Sequence, residues 1–160
     1  HATPWHQDGQ YWPIRPLATC TVWLAIDDST PDNGCLKFIK GSHIDQKLKS
    51  HNINNNKNIT LNQELANEEF DETKAVNLVL ERGQISLHDV YLVHGSEANN
   101  SPNARRAMTM RFMPTSSIFD HQLFKDKNLF SKLNVNKYSD RKIYHMRGKD
   151  ISTKNNLTFS

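Results

Sequence analysis

His6 and Asp8 stand two residues apart in WHQDGQYWP (5–13), and on an extended strand that spacing projects both side chains to one face. An imidazole and a carboxylate so placed can bind one ion together. By itself the pair is a weak signal in a chain with eight histidines. It gains weight from His94, which closes the apolar run YLV (91–93), and from Arg105, which follows eleven residues later. Two histidines and one carboxylate on one face of an octahedron leave the other three positions open, the arrangement associated with Fe(II) oxygenases. His88 competes with His94 but lacks both the Gly-Ser that follows His94 and the arginine spacing.

The arginine matters because of what the open positions would take. 2-Oxoglutarate chelates iron through its 1-carboxylate and 2-keto oxygen, which leaves the distal 5-carboxylate in need of a fixed cation. A guanidinium suits it, because it forks onto a carboxylate through two parallel hydrogen bonds. If 90–94 runs into the turn EANNSPNA (97–104) and 105–113 runs back as a hairpin, Arg105 returns beside the strand that ends at His94. Arg106 should then point to the opposite face.

The elements that must position these residues read as strands. The apolar stretches are short, rich in Val, Ile, Thr and aromatics, and punctuated by Gly, Pro and Asn. Strands are expected over 17–27, 35–39, 76–81, 84–88, 90–94 and 105–113, with DDSTPDNG (27–34) as a turn between the first two. Residues 44–74, crowded with Asn, Lys, Gln and Glu, read as an insertion or lid loop with one short helix near 61–70 and mobile flanks. Residues 1–150 form a single catalytic domain, and 151–160 read as a C-terminal tail that frays. A site that begins at the sixth residue of a chain without an initiator methionine implies that sequence upstream is missing.

Bulk properties narrow the partners. Twenty basic residues against 17 acidic give a net charge of +3, and they are dispersed rather than gathered into a stripe, which argues against nucleic acid. No run of 18 apolar residues and no leader-like start occurs, so no membrane partner is expected and the chain reads as soluble and cytoplasmic. Cys20 and Cys35 sit in apolar runs without a CxxC partner and read as small buried hydrophobes.

Four motifs, WHQDGQYWP (5–13), TVWLAIDDSTPDNGCLKFIKGSH (21–43), VHGSEANNSPNARRAMTMRF (93–112) and MRGKD (146–150), together resemble the phytanoyl-CoA dioxygenase family. They occur in the family's order and span nearly the whole chain. The resemblance implies an all-β core with minor helices, folded as a double-stranded β-helix, or cupin-like jelly roll. It implies His6, Asp8 and His94 as iron ligands and Arg105 as the partner of the 2-oxoglutarate 5-carboxylate. Thr21 and Trp23 fall where family members line the cosubstrate pocket, and Ser96 is a further donor to the cosubstrate. The expected activity is hydroxylation of a small organic substrate or acyl thioester, with Fe(II), 2-oxoglutarate and O2 consumed to succinate and CO2. Asp8 disfavours the related halogenases, which carry a small residue there. The same iron site could serve desaturation, cyclisation or epimerisation instead. A cupin-like metal-binding domain without turnover would predict a defective Arg105 or a missing ligand, and a zinc hydrolase would leave the Arg105 spacing unexplained.

Overall fold

The structure, a computed structural model, describes residues 1–122 and 141–158. In chain order its strands are β1 (Thr3–His6), β2 (Ile14–Arg15), β3 (Cys20–Ala25), β4 (Leu36–Ile39), β5 (His51–Ile53), β6 (Gln63–Leu65) and β7 (Ala75–Asn77), then β8 (Ile85–Asp89), β9 (His94–Ser96), β10 (Ala107–Phe112), β11 (Ile118–Phe119), β12 (Ile143–Tyr144) and β13 (Leu157–Thr158). Helical geometry among the described residues is confined to three-residue 3-10 turns.

Two antiparallel sheets carry the site. One has the order β1-β9-β4-β7, the other β10-β3-β8. Neighbours in space are distant in sequence, because the chain crosses from sheet to sheet at β3–β4, β7–β8, β8–β9 and β9–β10. That alternation makes the double-stranded β-helix. Between the sheets, Trp23 and Ala25 of β3 pack against Leu36 of β4, with Leu78, Leu80 and Ala107 around them. The CTVWLA strand alternates as its pattern predicts, with Thr21, Trp23 and Ala25 buried on the inward face. Cys20 lies on the outward face and is exposed, contrary to expectation, whereas Cys35 is buried.

Registry in the first sheet brings the metal-binding types together. Thr3 opposes Ser96 and His6 opposes His94, so three steps along β1 match two along β9 and one extra residue bulges. A strict alternation would put His6 on the face opposite Thr3. The bulge turns it onto the face shared by His94 and Ser96. This close pairing depends on Gly95, where an added Cβ would meet the Thr3 carbonyl at 3.0 Å and the Trp5 nitrogen at 3.2 Å. Both neighbours are backbone, so Gly95→Ala must displace β1. We expect it to lower stability by about 1–3 kcal/mol and to weaken metal binding, measured by denaturant midpoint and Fe(II) titration.

Four expectations change. Residues 90–93 form a turn after β8, with Asp89 accepting from the Leu92 and Tyr91 nitrogens, so His94 opens a strand rather than ending one. The hairpin of 90–94 with 105–113 does not form, since β9 pairs with β1 and β4 while β10 pairs with β3. The helix near 61–70 is replaced by β6 and a 3-10 turn at Asn67–Glu69, because Leu65 is drawn into a cluster with Ile39 and Val93. Tertiary burial outweighs the helix propensity of this Glu- and Leu-bearing stretch. Finally, 151–158 does not fray: Asn155 bonds Phe119 N and Ser117 O, and β13 pairs with β12.

The 44–74 segment is anchored rather than loose. Its β5–β6 hairpin lies beside β1, and Leu65 and Phe70 pack with Trp5, Ile39 and Val93.

Candidate metal centre

His6, Asp8 and His94 converge, with one ligand atom from each lying within 4.8 Å of the other two. All three are buried, at 3%, 2% and 7% exposure. Gln7 keeps an extended backbone between the first two, so they stay on one side even though Asp8 already opens the 3-10 turn Asp8–Gln10. His6 Nε2 stands 3.7 Å from Asp8 Oδ1, and the rings of His6 and His94 are 4.2 Å apart at their centroids.

Both imidazoles are oriented the same way. His6 Nδ1 donates to Pro4 O at 2.8 Å and His94 Nδ1 to Leu92 O at 2.9 Å. A carbonyl can only accept, so each Nδ1 carries the proton and each Nε2 presents a lone pair inward, as metal-ligating histidines do. Burial drives the His94 pKa down to about 3, reinforced by His6, so its lone pair is available at neutral pH. Burial alone would raise the Asp8 carboxyl, but the neighbouring His6 and His94 imidazoles and the Arg111 guanidinium hold it well below the usual carboxylate range.

Asp8 is also tied to the second sheet. Its Oδ2 accepts from Arg111 Nη2 at 2.5 Å and from Thr21 Oγ1 at 3.2 Å, while the Tyr11 hydroxyl donates to Oδ1. Arg111 Nε in turn donates to Thr21 Oγ1 at 3.0 Å. Thr21 is thus placed at the centre, whereas Trp23 lies two residues on, in the core between the sheets. Arg111, Tyr11, Gln7 and His88 were not singled out as site residues from sequence. Arg111 shares the parity of Arg105 and stands opposite Thr21, so a correct register would have found it. Gln7 is fully buried; its side chain donates to Lys47 O and Tyr91 O and accepts from Lys49 N, pinning the His-Gln-Asp turn. His88 is buried opposite Thr21, bonded to Ser86 Oγ, with its ring centroid 5.5 Å from that of His94.

The remaining two expected residues are notable for what they lack. Ser96 shares the inward face of His94, is buried, and its Oγ has no hydrogen-bond partner among the described residues. Arg105 continues the inward parity of Ala107 and Arg111; it is half-buried, its Nε is unpartnered among the described residues, and burial pushes its pKa below the ordinary arginine value. No carboxylate among the described residues pairs with it. Arg106, by contrast, turns outward and forks onto Asp27 at 2.8 Å. An unpaired donor and an unpaired cation on the inward faces suit a dicarboxylate reaching from the metal, so the donor set fits both Fe(II) and 2-oxoglutarate.

Two buried imidazoles and one half-buried one make the fold acid-sensitive. Burial lowers the pKa values of His51, His88 and His94. Between their folded values and the unfolded value of about 6.5, the unfolded chain binds more protons, so stability rises with pH across that window. Asp8 stays ionised in both states between pH 6.5 and pH 5 and does not contribute there. The protein without metal should lose about 2 kcal/mol from His94 alone between pH 6.5 and pH 5. Denaturant midpoints across this range would read the slope, and His94→Gln should flatten it; an unchanged slope in that variant would contradict the assignment.

The family model for phytanoyl-CoA dioxygenase (PhyH) matches residues 1–107. A Dictyostelium discoideum protein named phytanoyl-CoA dioxygenase domain-containing protein 1 homolog is 34% identical over 110 residues, covering 68% of this chain and 39% of that protein. Among solved structures, the non-haem monooxygenase ThoJ superposes with a TM-score of 0.62 at 26% identity, over 73% of this chain and 42% of that one. EvdO2 from Micromonospora carbonacea var. aurantiaca, solved in complex with 2-oxoglutarate, gives 0.60 at 28% identity, over 71% and 45%. The matched part of the chain thus covers 39%, 42% and 45% of the length of these three proteins. By the extent of these matches, the chain belongs to the phytanoyl-CoA dioxygenase family.

Proposed function

We propose that this chain is the catalytic core of an Fe(II)- and 2-oxoglutarate-dependent dioxygenase that hydroxylates a small organic molecule. The observation that carries the proposal is the buried His6–Asp8–His94 group, with both Nδ1 protons occupied by carbonyls and both Nε2 atoms turned inward. When bound, Fe(II) with 2-oxoglutarate and O2 would supply the oxidation of a substrate C–H bond, with succinate and CO2 as coproducts. The chain's own residues do the positioning. His6, Asp8 and His94 hold the metal from one side, Arg105 and Ser96 receive the distal carboxylate of the cosubstrate, and Thr21 and Arg111 fix Asp8 so that one oxygen faces the metal. Trp23 closes the space between the sheets against water.

An intact carboxylate at Asp8 favours hydroxylation over halogenation, because no ligand position is left for a halide. Both cysteines are free thiols, in keeping with a reducing compartment such as the cytoplasm. No helix among the described residues is long and apolar enough to cross a membrane.

The test is anaerobic titration of the protein with Fe(II) and then 2-oxoglutarate, recording the weak visible charge-transfer band of the chelate. The wild type should develop the band and His94→Ala should not. A wild type without the band, or a variant that keeps it, would sink the assignment.

A further inference from the structure

Next to the metal centre lies a cavity of about 580 Å³, which shares only Arg111 with the residues that fix the metal-binding group. Its lining combines two chemistries. Ile14, Met113 and Phe119 give it an apolar surface, continuous with the buried cluster around Trp12. Arg111, Arg141, Lys142 and Arg147 also border it; among the described residues one carboxylate lines it, Asp150, which already accepts from Ser152 and Asn155. Arg111 belongs to both places: its Nη2 bonds Asp8, and its guanidinium carbon lies 4.4 Å from the Trp12 ring centroid. The Arg141 guanidinium approaches the same ring at 5.1 Å. Lys142 and Arg147 are exposed and form no ion pair among the described residues.

We propose that this cavity is the substrate site and that it takes a small molecule with an apolar body and one anionic head, carboxylate or phosphate. That it is the substrate site rests on the oxygenase reading above; that it binds such an anion rests on the cavity alone. Burying the body against Ile14, Met113 and Phe119 supplies affinity in proportion to apolar area. The cations supply orientation, because a head held by Lys142 and Arg147 at the exposed side leaves the body directed past Trp12 toward Arg111 and Asp8. A neutral molecule of the same shape gains the burial but not the orientation. Lys142 and Arg147, without a counter-ion among the described residues, also disfavour a cationic substrate.

The experiment is calorimetric titration of the anaerobic protein, loaded with Fe(II) and 2-oxoglutarate, with octanoate, octyl phosphate and 1-octanol. Both anions should bind, and the alcohol should bind at least about fivefold more weakly at low salt. The relative affinity of the two anions identifies the head. The double variant Lys142→Ser, Arg147→Ser should weaken both anions by about five- to tenfold, leave 1-octanol unchanged, and keep the chelate band. Equal binding of 1-octanol and octanoate, no binding of any of the three, or an unaffected double variant would overturn the proposal. The charge-transfer band recorded on the same samples separates the two ideas. Selective anion binding without the band overturns the oxygenase reading alone; the band without anion selectivity overturns this one alone.

Discussion

Asp8→Ala is expected to abolish metal binding and to cost the fold about 3–5 kcal/mol even without metal. The carboxylate is 2% exposed and accepts from Tyr11, Thr21 and Arg111. Removing it leaves the Arg111 guanidinium, with a side chain only 18% exposed, beside no anion. An uncompensated buried charge is the costly outcome here, more so than the lost hydrogen bonds. Asp8→Asn keeps the shape and two acceptor lone pairs, so it should retain more of the stability while losing metal affinity by more than about a hundredfold. The sign with pH follows from the depressed carboxyl: its contribution is present above the unfolded value of about 3.9 and disappears as pH falls through the lower folded value. Chemical denaturation and Fe(II) titration of both variants check this. An Asp8→Ala protein as stable as the wild type would mean that the Arg111 contact carries no weight.

Arg105→Gln should act in the opposite way. We expect 2-oxoglutarate affinity to fall by about 10²- to 10³-fold, as when one partner of a buried charge pair is truncated, with Fe(II) affinity unchanged. The stability of the free protein should stay level or rise slightly, because the substitution removes a half-buried cation that has no counter-ion among the described residues. Arg105→Lys should restore only part of the affinity, since an ammonium cannot fork onto a carboxylate. Anaerobic titration of the chelate band with 2-oxoglutarate measures all three proteins. Unchanged affinity in Arg105→Gln would remove Arg105 from the cosubstrate site and leave the distal carboxylate to another cation, with Arg111 the nearest to the ligands.

The nearness of His6 and Asp8 was legible in the sequence because residue type and spacing suggest it, and the fold brings His94 to them. An imidazole and a carboxylate two apart share a face whatever strand they lie on. Alternation likewise revealed which residues of 20–25 turn inward, since period two reports the face. It does not report the neighbour. The hairpin expected between 90–94 and 105–113 put Arg105 next to β9, whereas β10 pairs with β3 in the other sheet. The parity assigned to Arg105 held while its partner strand did not. Arg111, six residues further along the same face, became visible only through its register with Thr21. The β1 bulge was equally hidden, because an inserted residue leaves no mark in the pattern of types. At 61–70 the local preference for helix lost to the burial of Leu65, a long-range effect that no local reading contains.

The pairing of β1 with β9 has a consequence for how the chain matures. His6 and His94 lie 88 positions apart, and the strands between them must be laid down across both sheets before the two histidines meet. Closing so long a loop is entropically slow, and nothing shorter than the finished fold brings the three ligands together. Metal affinity at the proposed centre would therefore be a late property of folding, with the free energy of binding accruing to the closed state alone. If the centre holds iron as proposed, a nascent or partly melted chain would hold it poorly, and the topology would keep a redox-active ion from being exposed before the protective walls are in place.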